Sequence, residues 1–314
     1  MEKSGTIAFV FPGQGSQHIG MGMELAAAYP VARETFAEAD ECLGFRLSDL
    51  CWHGTEEELT DTVNAQPALL TCSIAALRVF INCYGDMAPR YMAGHSLGEI
   101  TALVAAGIIS FADGVRLVRR RGEVMKAAAE IQPGGMAVLL DADTATAELI
   151  CGDVRSATGG VIQIANDNCP GQIVISGDHE TLKKALTIGK EYGVKRAAKL
   201  PVSIAAHSLL MQPARNEFER YVETLTLSAS VMPVVGNIRA KPFGDLDEIR
   251  WELADLLVSP VRWSDSIRYM AHNGVTTIIE FGPLDVLTRL LPWFNLNVTG
   301  MALGTPEAIL QVRL

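Results

Sequence analysis

The sequence predicts an α/β protein. A larger body with a parallel sheet is drawn from residues 1–131 and 201–314, and a small ferredoxin-like unit at 132–200 interrupts it. Three observations lead there. Short apolar runs suited to buried strands alternate with helical patterns along most of the chain. Gly94-His95-Ser96-Leu97-Gly98 fits G-x-S-x-G, in which a strand ends, the chain turns sharply and a helix begins, with serine at the apex. Residues 132–200 read as β-α-β-β-α-β, the split arrangement of a ferredoxin-like unit.

Taken in order, residues 6–11 form an apolar run that reads as a buried strand, followed by the glycine-rich PGQGSQHIGMG. Helical patterns occupy about 22–41 and 66–84. A strand near 88–93 feeds the serine turn, and the next helix, about 98–107, ends at Gly107. Ser110 and Asp113 have capping-box spacing and open a helix running to about 129. Within the insertion, GMAVLLD, VIQIA, QIVISG and VKRAAKL read as strands, and ADTATAELIC and DHETLKKALTIGKEY as helices. The body then resumes with helices near 209–225, 246–257 and 264–272, strands near 232–236 and at TTIIEFG, and a last helix near 284–291.

Composition narrows the function. The chain has 314 residues, 49% hydrophobic and 20% charged, in the range of soluble globular enzymes. A formal net charge of −10 argues against nucleic acid as a partner. Judged as sequence, no apolar run reaches membrane-spanning length: the longest, around 100–109, contains Thr101 and Gly107. The opening MEKSG has no signal-peptide layout, which leads us to expect a cytoplasmic protein. The six cysteines form no C-x-x-C pair and read as buried free thiols rather than metal or redox groups.

A serine hydroxyl needs a base within hydrogen-bond reach before it attacks a carbonyl. Among six histidines, His207 stands where the chain re-enters the body, a junction where clefts form. It is the candidate base, against the plainer reading of a hydrogen-bonded histidine at a boundary. His95 abuts Ser96, but neighbours on a sharp turn seldom point the same way. In RLVRRRGEVM, Arg119 and Arg120 both have Glu123 at helical spacing, whereas Arg121 lies on the apolar stripe with no acid at i±3 or i±4. An inward arginine meets either a distant carboxylate or the carboxylate of a substrate. The turn FPGQGSQ fits neither the dinucleotide nor the P-loop pattern. It can instead aim a backbone N–H at an oxyanion, with the N–H of Leu97 as the second donor.

With these pieces together, the chain resembles malonyl-coenzyme A:acyl carrier protein transacylases over nearly its whole length. The resemblance rests on FVFPGQGSQ, GHSLGEITALVAAG, RLVRRRGEVM, ANDNCPGQIVISG, LPVSIAAHSLLM, SPVRW and EFGP. It implies a hydrolase-like α/β body with a ferredoxin-like insertion. It also implies Ser96 as nucleophile, His207 as base, and the N–H groups of Gln14 and Leu97 as the oxyanion hole. Arg121 would hold the malonyl carboxylate, His95 would line the pocket, and Asn166 and Asn168 would lie near the pantetheine arm. The histidine would be oriented by backbone carbonyls, one of them from Leu256, where glutamine is usual. Leu284-Asp285 and Ala205-Ala206 also depart from the family pattern, which bears on substrate preference more than on reaction class.

The implied substrates are malonyl-coenzyme A, as a coenzyme A thioester, and acyl carrier protein, with no bound cofactor or metal and a monomeric state. Lys183, Lys184, Lys190, Lys195, Arg196 and Lys199 form a candidate basic docking surface, against the plainer reading of a solvated face. The rivals are a serine thioesterase or other hydrolase, an acyltransferase preferring another acyl-coenzyme A, and a non-catalytic scaffold with the same fold. Service in fatty acid synthesis, polyketide synthesis or malonate decarboxylation stays open.

Overall fold

The computed structural model describes residues 6–312; the MEKSG segment lies outside them. The first strand, β1 (Ile7–Phe11), is buried at all five positions, as expected of a parallel strand covered on both faces. After the glycine-rich turn come α1 (Met23–Ala28), α2 (Pro30–Leu43), α3 (Leu47–His53), α4 (Glu56–Thr60) and α5 (Thr62–Tyr84). The helix expected over 22–41 is thus two. Pro30 disfavours helical backbone at the residue before it, and Tyr29 is extended. The two short helices α3 and α4 were not expected, although Thr55 and Glu58 form a full capping box at the start of α4.

The helix expected from 66 begins at Thr62, so Pro67 lies inside it. A proline there leaves the carbonyl four residues earlier without its N–H. Arg119 supplies the missing donor, with Nη1 3.3 Å from the Val63 carbonyl. By length and composition α5 could cross a bilayer, contrary to the sequence reading, but 72% of its apolar window is buried inside the protein. It is a core helix.

The chain continues through β2 (Tyr91–Gly94), α6 (Leu97–Ala105) and α7 (Phe111–Ile131). The Ser110 side chain accepts the Asp113 N–H at the start of α7, as its spacing predicted. Next come β3 (Gly134–Leu140), α8 (Thr144–Thr158), β4 (Ile162–Cys169), β5 (Gln172–Asp178), α9 (His179–Ile188) and β6 (Arg196–Lys199). They form an antiparallel sheet in the order β4-β5-β3-β6. Strand β5 separates β3 from β4, which is the split β-α-β arrangement. Helices α8 and α9 cover this sheet around a core of its own that includes Leu139, Ile150, Ile164, Ile175 and Leu182.

The return adds α10 (Gln212–Val222), β7 (Val234–Val235), α11 (Leu246–Asp255), α12 (Trp263–His272), β8 (Thr277–Glu280), β9 (Thr299–Ala302) and α13 (Pro306–Leu310). The body's sheet runs β7-β2-β1-β8-β9 with every pair parallel. Phe9, Phe80 and Phe281 pack edge to face beneath it.

The last helix expected, 284–291, is a 3₁₀ helix over Thr288–Phe294. The backbone N–H groups of Leu287 and Thr288 are bound by the Glu280 carboxylate, and Pro292 has no N–H to extend an α-helix. Strand β9 escaped the sequence reading because TGMA shows no alternation and contains Gly300.

Candidate active site

Ser96 occupies the end of β2 and the start of α6 with φ 53° and ψ −108°, a conformation that costs a non-glycine residue of order 1–3 kcal/mol. Its neighbours explain how the turn is held. A Cβ on Gly94 would lie 1.8 Å from the Gly98 carbonyl, and one on Gly98 would lie 2.0 Å from the Phe11 carbonyl. Both glycines are therefore required by close backbone approach. Asn237, just after β7, pins the turn from below. Its Oδ1 accepts the Ser96 N–H at 2.7 Å and its Nδ2 donates to the Gly94 carbonyl at 2.7 Å.

The Ser96 Oγ lies 2.8 Å from His207 Nε2. His207 is buried and also sits at positive φ, 60°. Its Nδ1 faces the carbonyls of Leu256, at 2.7 Å, and Ser259, at 3.1 Å. Two acceptors fix the proton on Nδ1 and leave Nε2 free to accept from the serine. Burial, reinforced by the Arg121 cation and opposed by the Leu256 bond, lowers the His207 pKa to about 3. The imidazole is neutral across physiological pH, as a base must be. A second amide holds His207: Gln163 of β4 donates to the carbonyls of His207 and Val258, and its Oε1 accepts the Leu209 N–H.

Arg121 is 2% exposed and has no carboxylate hydrogen-bonded to it among the described residues. Its Nη1 donates to Gln66 Oε1 at 2.9 Å and its Nη2 to Ser96 Oγ at 3.1 Å. Burial lowers its pKa to about 10, with Glu99 pulling the other way. Gln66 in turn donates to Thr62, and Thr62 donates to Gln14 Oε1 at 2.9 Å. This chain ties the arginine to the glycine-rich turn. There Gly13 approaches the serine turn so closely that a Cβ would lie 2.6 Å from the His95 carbonyl. Leu97 opens α6, so its N–H is among the first-turn donors without an intrahelical acceptor.

His95 is held by partners of its own. Its Nε2 lies 2.9 Å from Asn168 Oδ1, and its ring packs edge-on against Trp263. Burial lowers its pKa. Asn168 donates onward to Gln172. Asn166 sits at a bulge of β4, bridged to Val261, with a buried Oδ1 that receives no hydrogen bond. Lys183, Lys184, Lys190, Lys195, Arg196 and Lys199, the candidate docking residues, are exposed, and Lys195 is engaged by Asp141. No group of three or more His, Cys, Asp or Glu side chains suited to a metal occurs among the described residues. All six cysteines are free; four are buried, whereas Cys42 is half-buried and Cys83 exposed.

Sequence reasoning brought forward Ser96, His207, Arg121, His95 and Leu256, and the structure brings these into one site. It did not find Gln66, Asn237, Gln163 or Ser259. The last acts through its backbone carbonyl, and the three amides lie in stretches without a spacing signal.

A serine on a strained turn, a neutral histidine and a buried arginine converge in this α/β body, an arrangement suited to acyl transfer. The acyl transferase domain family matches residues 8–292, and the chain belongs to it. Within that family its relatives act on malonyl groups by name. The malonyl CoA-acyl carrier protein transacylase of Bacillus subtilis strain 168 is 45% identical, over 96% of this chain and 95% of that one. The structure of the Coxiella burnetii malonyl CoA-acyl carrier protein transacylase superposes with a TM-score of 0.94 at 38% identity, covering 98% of this chain and 96% of the other. A malonyl-transacylase bound to a type II polyketide acyl carrier protein superposes at 0.93, with 39% identity and 97% of each chain covered.

Proposed function

We infer that this enzyme moves a malonyl group from coenzyme A to the phosphopantetheine thiol of acyl carrier protein, by way of a malonyl ester on Ser96. The observation that carries the mechanism is the shared position of Ser96 Oγ, 2.8 Å from His207 Nε2 and 3.1 Å from Arg121 Nη2. Accepting from Arg121 leaves the hydroxyl proton directed at the imidazole. His207 takes that proton as Oγ attacks the thioester carbonyl. The oxyanion is received by the N–H groups of Gln14 and Leu97, a contribution typically of about 100- to 1,000-fold per donor. The C–S bond breaks, and His207 returns the proton to the departing thiolate. The carrier thiol then gives its proton to His207 and attacks the ester, and Ser96 regains the proton as its C–O bond breaks.

In this reading Arg121 transfers its Nη2 bond from Ser96 to the malonyl carboxylate once the acyl group is bound. His95 shapes the pocket wall and holds Asn168 toward the pantetheine arm, with Asn166 beside it. The reaction uses coenzyme A thioester as substrate, without a bound cofactor or metal, in the cytoplasm and as a monomer. Fatty acid or polyketide synthesis are the processes this product serves. The exposed lysines of the insertion form the docking surface for an acidic carrier protein. Reversing the charge of Lys183 and Lys184 should raise the KM for carrier protein and leave that for malonyl-coenzyme A unchanged; equal KM values would remove those residues from the surface.

Intact-protein mass spectrometry after brief mixing with malonyl-coenzyme A tests the core of this reading. A malonyl adduct absent from Ser96→Ala, and discharged by holo-carrier protein rather than buffer, is expected. Rapid discharge to water would make the enzyme a hydrolase. An adduct that forms only with another acyl thioester would refute the malonyl assignment.

A further inference from the structure

Beneath the serine turn lie two buried carboxyl groups that the mechanism above does not use. Glu99 lies on α6 and Glu252 on α11, and both are fully buried. Each accepts one backbone N–H from adjacent residues of a single loop. Asn237 N donates to Glu99 Oε2 at 2.7 Å, and Ile238 N to Glu252 Oε1 at 2.7 Å. A Cβ on Gly236 would lie 2.6 Å from Glu252 Oε1, so glycine leaves the room this carboxyl fills. Each group has a second oxygen, Glu99 Oε1 and Glu252 Oε2, that receives no N–H or O–H from the described residues. The two carboxyl groups are within hydrogen-bonding reach of each other.

Two ionised carboxylates cannot face each other in a buried site, whereas one proton between them satisfies both orphaned oxygens. We propose that Glu99 and Glu252 share a single proton and act as a positioning pair for the nucleophile, fixing Asn237 so that it holds the Ser96 turn. The connection is continuous: the pair binds the N–H groups of 237 and 238, and the Asn237 side chain binds Ser96 N–H and Gly94 C=O. The pair keeps one negative charge, which faces the Arg121 cation from α7; on the α11 side the nearest charge is Glu248, itself paired with Arg239. Burial raises the pKa of both groups, Glu99 the more strongly, in keeping with a proton retained at neutral pH. Loss of that proton in alkali leaves two facing anions under the turn and loosens it.

Glutamine reproduces the protonated partner, since its carbonyl accepts the loop N–H and its amide donates across the pair. Glu99→Gln or Glu252→Gln alone should therefore keep the Ser96 acylation rate within about threefold of wild type at neutral pH. Each should also lose the alkaline fall in that rate which the shared proton gives the wild type. The double variant faces amide to amide with no acceptor, and should acylate about 100-fold more slowly, the scale of an ångström-sized misplacement, with the KM for malonyl-coenzyme A little changed. A double variant as fast as the singles, or singles that keep the wild-type alkaline limb, overturns the positioning role.

The shared proton itself is read by infrared difference spectroscopy, wild type minus each single variant, as a protonated carboxyl C=O band at neutral pH. Absence of that band overturns the sharing. The proposal rests on Ser96 as nucleophile, but the infrared reading involves no acyl transfer. An adduct persisting in Ser96→Ala would overturn the site assignment instead.

Discussion

Arg121→Ala is the perturbation whose magnitude the structure sets most directly. The guanidinium is buried without a hydrogen-bonded carboxylate, and burial lowers its pKa from the usual guanidinium range to about 10. At about 1.4 kcal/mol per tenfold, that corresponds to a net cost of about 3 kcal/mol, after the opposing pull of Glu99, which an arriving carboxylate offsets. The bonds themselves give a second measure. A bidentate grip on malonyl makes two charge-assisted hydrogen bonds of about 1.5–3 kcal/mol each, or about 3–6 kcal/mol together. Both measures place the loss in kcat/KM for malonyl-coenzyme A at about 10²- to 10⁴-fold. Acetyl-coenzyme A has no carboxylate to lose, so its kcat/KM should stay level or rise. The assay is a coenzyme A release rate with each thioester, compared as a ratio so that any loss of folded protein cancels. Arg121→Lys should fall between, because a point charge keeps attraction without the two-pronged geometry. A malonyl-to-acetyl ratio unchanged in Arg121→Ala would refute the carboxylate grip.

The neutral His207 has a signature in stability as well as rate. Its folded pKa is lowered to about 3, while an unfolded histidine titrates near 6.5. The unfolded chain therefore binds the extra proton first, and stability falls as pH drops below about 6.5, with no such effect above it. Between pH 7 and about pH 4.5 wild type should lose about 3 kcal/mol more than His207→Gln in urea unfolding, and equal losses would refute a buried neutral imidazole. Acylation of Ser96 should show no acid limb near pH 6.5 for the same reason. Gly98→Ala drives a Cβ to 2.0 Å from the Phe11 carbonyl. It should destabilise by about 3 kcal/mol or more and abolish acylation; wild-type thermal stability would show that the turn is looser than described.

The legible parts of this protein are those in which chemistry needs a particular side chain at a particular spacing. G-x-S-x-G marks Ser96 because the turn excludes any Cβ at 94 and 98. Arg121 is marked because helical spacing sends it inward without an acid. The split β-α-β-β-α-β order of 132–200 follows from clear strand and helix alternation. Elements held by distant partners were not legible. Thr62–Gln66 extend α5 through a proline because Arg119 caps the freed carbonyl, and β9 is a strand because β8 pairs with it. Asn237 and Gln163 escaped for a related reason. Their partners are backbone groups at Gly94, Ser96, His207 and Val258, far off in sequence and silent in it.

The His207 imidazole, the proposed base, takes its orientation from the carbonyls of Leu256 and Ser259. A peptide carbonyl is common to every amino acid, so the instruction that sets the catalytic tautomer is carried by the path of the chain rather than by residue identity. Positions 256 and 259 are therefore free to vary without rewriting the chemistry. A leucine serves at 256 as well as an amide would, and the vulnerability shifts to whatever bends the loop. The protein is tolerant of substitution where an acid-oriented histidine would be fragile, and it is exposed instead to changes in backbone geometry.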